Sequence, residues 1–179
     1  MRLAAVWVIL APEAARQARY RACPAAVLYN DREGKRLMLV AEILKSKGDA
    51  VFSIAPDTTV AQACAELDTR RVGALIVCDG DRVAGVFSER DVVKAVTAQG
   101  AGALDRPVSD FMSADVVFAK PGETVAILMG RMTDRRIRHL PVMRDSRLAG
   151  VISIGDVVKC QIAEATREAE SLRTYISAG

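Results

Sequence analysis

Two short stretches hold the residue types from which chemistry could be built: G-V-F-S-E-R-D at 85–91 and G-V-I-S-I-G-D at 150–156. In each, a serine (Ser88, Ser153) ends an apolar run and an aspartate (Asp91, Asp156) follows three residues later, in the first turn of a predicted helix. Unpaired backbone N–H groups and the positive end of the helix dipole favour a phosphate at such a point, and the serine hydroxyl adds a donor. The aspartate can accept from both neighbouring hydroxyls of a ribose. Helix capping uses the same residues in the same places, the serine accepting from first-turn amides and the aspartate satisfying others. The spacing alone fits both readings equally.

Other chemistry has little to work with. There is one histidine, His139, and the four cysteines, Cys23, Cys64, Cys78 and Cys160, form no C-x-x-C pair, so a multi-histidine metal site, a zinc site and a disulfide framework lack their ligands. No G-x-x-x-x-G-K-[ST] loop or activated nucleophile is visible. Aromatics at 4% are too few for a platform that stacks single-stranded nucleic acid. Cys64 and Cys78 lie in apolar periodic segments and read as small core residues of a reduced compartment, which places the protein in the cytoplasm.

The elements around the two motifs come in duplicate. Residues 56–94 superpose on 121–159 at a shift of 65 without a gap, and 17 of the 39 pairs are identical, including Arg70/Arg135, Arg71/Arg136, Gly85/Gly150 and the whole D-V-V-K. Upstream, V-A-E-I-L at 40–44 resembles V-S-D-F-M at 108–112 at a shift of 68, so the first copy has three extra residues near 47–49. Each copy starts with a short predicted strand (V-F-S-I, then V-V-F-A), followed by a helix N-capped by Thr59 or Thr124. The apolar series of those helices are Val60, Ala63, Cys64, Leu67 and Val125, Leu128, Met129, Met132, at i, i+3, i+4 and i+7. Met129 and Met132 are therefore expected in the core. Two strands joined by a tight polar turn, D-G-D or R-D-S, and a second helix complete the unit.

With the doubled motif, this element order and R-H-L-P-V at 138–142, residues 38–160 resemble a tandem pair of CBS domains, the Bateman module, and most of all the small stand-alone bacterial CBS-pair proteins. The resemblance implies an α+β fold of two pseudo-twofold-related β-α-β-β-α units packed through their sheets. It also implies an adenosyl ligand (AMP, ADP, ATP or a dinucleotide such as NAD) between the repeats, with its ribose and phosphate on S-x-x-D and its base between apolar walls. Carried over, the second-copy site has Ser153 and Asp156 for phosphate and ribose, Val116 and Val117 beside the base, Pro141 and His139 opposite, and Arg138 for phosphate. The first-copy site has Ser88 and Asp91, with Val51, Phe52 and Ala74 near the base. There Gly73 and Ala74 replace Arg138 and His139, Ile76 replaces Pro141, and Arg90 replaces Gly155 as a source of charge, so the two sites should differ, with Asp156 serving the tighter. Function would then be non-catalytic sensing, in which the ligand shifts an equilibrium by preferring one arrangement. The alternative is a dimerisation and partner scaffold with vacant clefts.

Length and charge bound the rest. A chain of 179 residues accommodates one domain or two small intertwined units, divided here into an extension at 1–37, repeats at 38–100 and 101–160, and a helical extension at 161–179. Net charge is +3, but 1–37 hold seven basic and three acidic residues, leaving the remainder at −1, so neither nucleic acid nor membrane is an expected partner. Residues 3–11 trace the outline of a secretory signal with a short apolar stretch and one arginine before it; a weakly structured extension or an overextended start ahead of Met38 is the plainer expectation. Val158, Ile162, Ala165, Ala169, Leu172 and Ile176 recur with a period of 3.5, a seam on a long helix suited to a second subunit or to its own domain, and the resemblance to tandem CBS pairs implies a homodimer to which this helix contributes. A regulated protein, unnamed by any sequence feature, is the remaining expected partner.

Overall fold

The computed structural model describes residues 29–30, 36–48 and 50–177. In chain order these form β1 (Tyr29–Asn30), β2 (Arg36–Leu37), α1 (Val40–Lys47), β3 (Ser53–Ile54), α2 (Val60–Arg70), β4 (Ala74–Asp79), β5 (Arg82–Ser88) and α3 (Glu89–Gln99). Two 3-10 turns (Gly100–Asp105, Val108–Asp110), α4 (Val125–Asp134), β6 (His139–Arg144), β7 (Arg147–Ser153) and α5 (Ile154–Ser177) follow. The secretory outline and Cys23 lie outside the described residues; at the end of the expected extension, β1 and β2 pair antiparallel.

The repeat's local predictions are visible in its bonds. Thr59 Oγ1 accepts from the Gln62 N–H and Thr124 Oγ1 from the Ile127 N–H, each at 3.3 Å. Both helices end alike: Val72 N–H reaches Leu67 O at 3.0 Å and Ile137 N–H reaches Met132 O at 3.0 Å, while Arg71 (φ 52°) and Arg136 (φ 53°) turn into the left-handed region. Val60, Ala63 and Leu67 are buried, as are Val125, Leu128 and Met132. Met129, expected in the core, is instead 37% exposed. In the first copy β3 runs parallel to β4, which pairs antiparallel with β5; in the second, β6 and β7 pair antiparallel.

The V-V-F-A run of the second copy is not a strand. It makes a single parallel bridge, Ala119 to Val142, equivalent to Ile54 and Val77 in the first copy. Ile76 N–H extends the first ladder to Phe52 O at 3.0 Å. The equivalent of Ile76 is Pro141, which has no N–H to give, so the second ladder stops there.

The segments that lead into each repeat cross to the other. Val40 N–H donates to Glu123 O and Ala41 N–H to Pro121 O, both at 2.9 Å; in mirror fashion Val108 N–H donates to Thr58 O at 2.8 Å and Ser109 N–H to Pro56 O at 3.1 Å. Met38, Val40, Ile43 and Leu44 accordingly share a core with Leu128, Leu140, Ile152 and Val157, whereas Val108 shares one with Val60, Leu75, Val77 and Phe87. These matched bonds carry the pseudo-twofold relation. They also explain the first glycine of each motif. A Cβ on Gly85 would lie 2.5 Å from Met112 Sδ, and one on Gly150 would lie 2.5 Å from Leu44 Cδ2, each in the segment that crosses over it.

The turns differ where sequence differs. Asp145 (φ 49°) and Ser146 (φ 61°) both take left-handed geometry between β6 and β7, while Gly80 (φ 58°) serves the first copy. Left-handed backbone costs a non-glycine residue about 1–2 kcal/mol. Ser146→Gly is expected to stabilise the chain by about 0.5–1 kcal/mol, read as a higher urea midpoint with an unchanged slope. Finally, α5 has 24 residues, about 36 Å at 1.5 Å per residue. Its Val157 and Cys160 are buried, while Val158, Ile162 and Ile176 of the predicted seam are exposed. No helix among the described residues is long and apolar enough to cross a membrane.

Candidate functional site

Both S-x-x-D motifs fold as caps. Asp91 Oδ2 accepts from Ser88 N–H at 3.0 Å and Ser88 Oγ–H at 2.6 Å; Asp156 Oδ2 accepts from Ser153 N–H at 2.8 Å and Ser153 Oγ–H at 2.6 Å. The backbone ties are also paired, Glu89 N–H to Gly73 O at 3.2 Å and Ile154 N–H to Arg138 O at 2.8 Å. Capping uses mainly one oxygen of each carboxylate, and a carboxylate has about four acceptor positions. What else each carboxylate meets is where the copies part.

Asp91 opens on a cavity of about 250 Å³. Its floor is Ser88 and Asp91, and its apolar walls include Val116, Val117, Ile137 and Pro141. Asp91 is only 3% exposed, and Lys94 Nζ donates to its Oδ1 at 3.3 Å. Around the mouth stand Arg90, Arg135, Arg136 and Arg138 with Lys94, against the carboxylates Asp91 and Asp115, so the lining is strongly cationic. Arg90 Nη1 donates to Arg136 O at 3.0 Å, joining α3 to the end of α4. Arg90, Arg136, Ile137 and Arg138 also line an adjoining hollow of about 480 Å³.

His139 stands in the cavity wall where the two copies meet. A Cβ on Gly73 would be 3.2 Å from its Cε1. Burial, then the charges of Lys47 and Arg138, hold the imidazole below its usual range, against the opposing pull of Glu89 and Asp156. At neutral pH it is therefore an uncharged hydrogen-bonding group.

Asp156 meets a different neighbour. Lys47 Nζ, at the end of α1, lies 2.6 Å from Asp156 Oδ2 and donates to Val151 O at 3.0 Å. Burial alone would raise the Asp156 carboxyl; the Lys47 charge and hydrogen bonds from Lys47 and Ser153 outweigh it and hold the group below the usual carboxylate range. A depressed carboxyl contributes stability that is present above its unfolded value and lost as pH falls through the folded one. The difference in urea midpoint between the native chain and Asp156→Asn should therefore be largest near pH 7 and shrink steadily in acid, below the ordinary carboxylate range.

The predicted site residues are thus regrouped. Val116, Val117, Arg138, His139 and Pro141, expected with Ser153 and Asp156, lie with Ser88, Arg90 and Asp91. The reason is the crossover of elements, which sets the apolar segment of one copy against the motif of the other. Val51, Phe52 and Ala74, expected with Asp91, do not line this cavity: Phe52 packs on the first-copy core beneath Arg70, whose Cζ is 5.1 Å from its ring, and Ala74 pairs with Ser88 across β4 and β5. Sequence reasoning assigned no role to Lys94, Asp115, Arg135, Arg136 or Lys47. The repeated R-R pair and the lysine of D-V-V-K were the available signals for the first group. Among the described residues no group of three or more His, Cys, Asp or Glu side chains could hold a metal ion.

Comparison with known proteins places this geometry. The CBS domain family model matches residues 40–98 and 108–163. The mitochondrial CBS domain-containing protein CBSX3 of Arabidopsis thaliana is 32% identical over 158 residues, covering 83% of this chain and 77% of its own. The crystal structure of a CBS-domain-containing protein from Agrobacterium tumefaciens superposes with a TM-score of 0.68 at 43% identity, over 69% of this chain and 99% of that one. A CBS domain protein of Pyrobaculum aerophilum, solved as a complex with AMP, superposes with a TM-score of 0.59 at 26% identity, over 66% of this chain and 89% of that one.

Proposed function

The chain belongs to the CBS domain family as a tandem pair, and on that premise we propose that it is a non-catalytic regulatory module whose Asp91 cleft binds an anionic adenosyl nucleotide, of the AMP, ADP, ATP or NAD type. One observation carries the reading: a buried carboxylate, an apolar wall and a cluster of cations face the same cavity. Asp91 Oδ1 can accept from ribose hydroxyls, Val116, Val117 and Pro141 offer apolar faces to a base, and Arg90, Arg136 and Arg138 suit phosphate, a guanidinium meeting it with two parallel bonds. The adjoining hollow shares these arginines and gives room beyond a first phosphate. The AMP complex of the Pyrobaculum aerophilum relative supports the adenosyl class.

Thermal unfolding of the whole chain, first stripped of copurified nucleotide, tests this against AMP, ADP, ATP, NAD and S-adenosylmethionine, whose sulfonium carries a positive charge. The expected result is a rise in Tm with the anionic ligands and little with S-adenosylmethionine. No rise with any of them overturns the reading in favour of a scaffold. The response to ligand is a shift in packing between the repeats or between subunits, because a ligand moves an equilibrium only by binding one arrangement better.

The module acts as a homodimer in this proposal, with α5 contributing to the contact. Val158 is 45% exposed, Ile162 62% and Ile176 77%, an apolar row that a monomer leaves in water. Light scattering at micromolar concentration is expected to give twice the chain mass of 19.2 kDa; a monomeric mass removes the dimer.

A further inference from the structure

The second motif has every part of the first, yet its aspartate is already engaged by a side chain from the crossing segment. We infer that Lys47 is a built-in occupant of the Asp156 cleft, its ammonium standing where a ribose would bind, so that the chain takes up one adenosyl nucleotide, at Asp91, and a second only when Lys47 is displaced. The inference rests on the nucleotide reading above.

Three observations support it. Asp156 Oδ2 accepts three donors, two from Ser153 and one from Lys47 Nζ at 2.6 Å, and Lys47 Nζ also donates to Val151 O, whose equivalent, Val86, lines the open cavity. Lys47 is held in place: it is the last residue of α1, Gly48 (φ 86°) turns the chain immediately after it, and Leu44 one turn earlier is anchored over Gly150. The third is the residue at the matching point. Lys47 opens the three-residue insertion of the first copy, and where the shift of 68 carried past the lead segment would set it, the second copy has Asp115, which lines the open cavity. A carboxylate at that point cannot pair with Asp91 as the Lys47 ammonium pairs with Asp156, so the ammonium that Asp91 meets is that of Lys94 on its own helix, 3.3 Å from Oδ1, and no cation from the crossing segment is set against it. The Lys47 side chain is 36% exposed and can swing into water when a ligand competes for Asp156.

Isothermal titration of the full chain with ATP, AMP and NAD in turn decides the matter. The native chain is expected to bind one nucleotide, weakened about 10–100-fold in Asp91→Asn. Lys47→Met, which keeps an apolar stem and removes the ammonium, is expected to bind two, the second lost when Asp156→Asn is added. The reciprocal variant Asp115→Lys is expected to weaken binding at Asp91 about two- to fivefold, by pairing with that carboxylate. Two sites in the native chain overturn the inference, as does a single site in Lys47→Met with only a lower Tm, the mark of a purely structural tie. Should Lys47→Met not fold, unchanged binding by Asp115→Lys overturns it instead. If the native chain binds none of the three and Lys47→Met binds one through Asp156, the inference stands and the Asp91 reading falls; silence from both ends both.

Discussion

Asp91→Asn is expected to weaken nucleotide binding about 10–100-fold while the chain stays folded. The size follows from exchanging a charge-assisted acceptor, worth about 1.5–3 kcal/mol, for a neutral one, at about 1.4 kcal/mol per factor of ten. Folding survives because the asparagine oxygen can still accept from Ser88 N–H and Oγ–H, the two bonds that fix the start of α3. Removing a negative charge from a cavity lined by Arg90, Lys94, Arg135, Arg136 and Arg138 slightly favours the phosphates, which keeps the loss below the sum of the deleted bonds. Titration with 2′-deoxy-ATP isolates the contact. The native chain should prefer ATP clearly, and Asp91→Asn should lose most of that preference, since the coupling disappears once either partner is gone. An undiminished preference in the variant places the ribose elsewhere.

Gly85→Val is expected to lower stability by about 1–3 kcal/mol, the usual range for overpacking a filled site. The obstacle is partly backbone. A Cβ at Gly85 would be 2.5 Å from Met112 Sδ and 3.1 Å from Ser113 O, and Ser113 is fixed to Val86 by two bonds of 3.0 and 3.1 Å. The methionine can bend away; the bridge can give only by opening. At about 2–4 °C per kcal/mol for a chain of this size, the expected fall in Tm is about 2–12 °C. Because Ser113 lines the Asp91 cavity, nucleotide binding should weaken as well. Gly122→Ala, with nothing within 4 Å of its new Cβ, serves as the control and should fall within about 0.5 kcal/mol of the native chain.

Much of this was legible in the sequence, for reasons that differ by residue. Thr59, Thr124 and the apolar series behind them are local signals, and local signals survive folding; the 65-residue shift then multiplied each one by two. The loss of the first strand in the second copy was written in Pro141, whose missing N–H ends a ladder, but its effect depends on pairing with Val117, a contact the linear chain does not display. The grouping of Ser88 and Asp91 with Val116, Val117 and Arg138 was not legible, because two similar copies offer equally plausible walls to either motif. Met129 follows the helical period of a core residue yet faces outward, since period gives a face and not its cover. Lys47 was hidden because it stands in the three-residue insertion of the first copy, where the register between the copies breaks and no residue of the second copy is set against it.

The crossing of the lead segments has a consequence for how the chain acquires its shape. Val40 bonds to Glu123, about 80 residues further on, and the first core waits for Val108 as the second waits for Met38 and Leu44. Contacts of such sequence separation slow folding, because the loop must close before they form. A ribosome releasing only the first repeat would release a half whose sheet lacks its cover, so neither half should appear as a stable, protease-resistant fragment. The pair is therefore expected to fold as a single cooperative unit made from two copies of one design, native only once the start of the last helix, with Val157 and Cys160, has emerged.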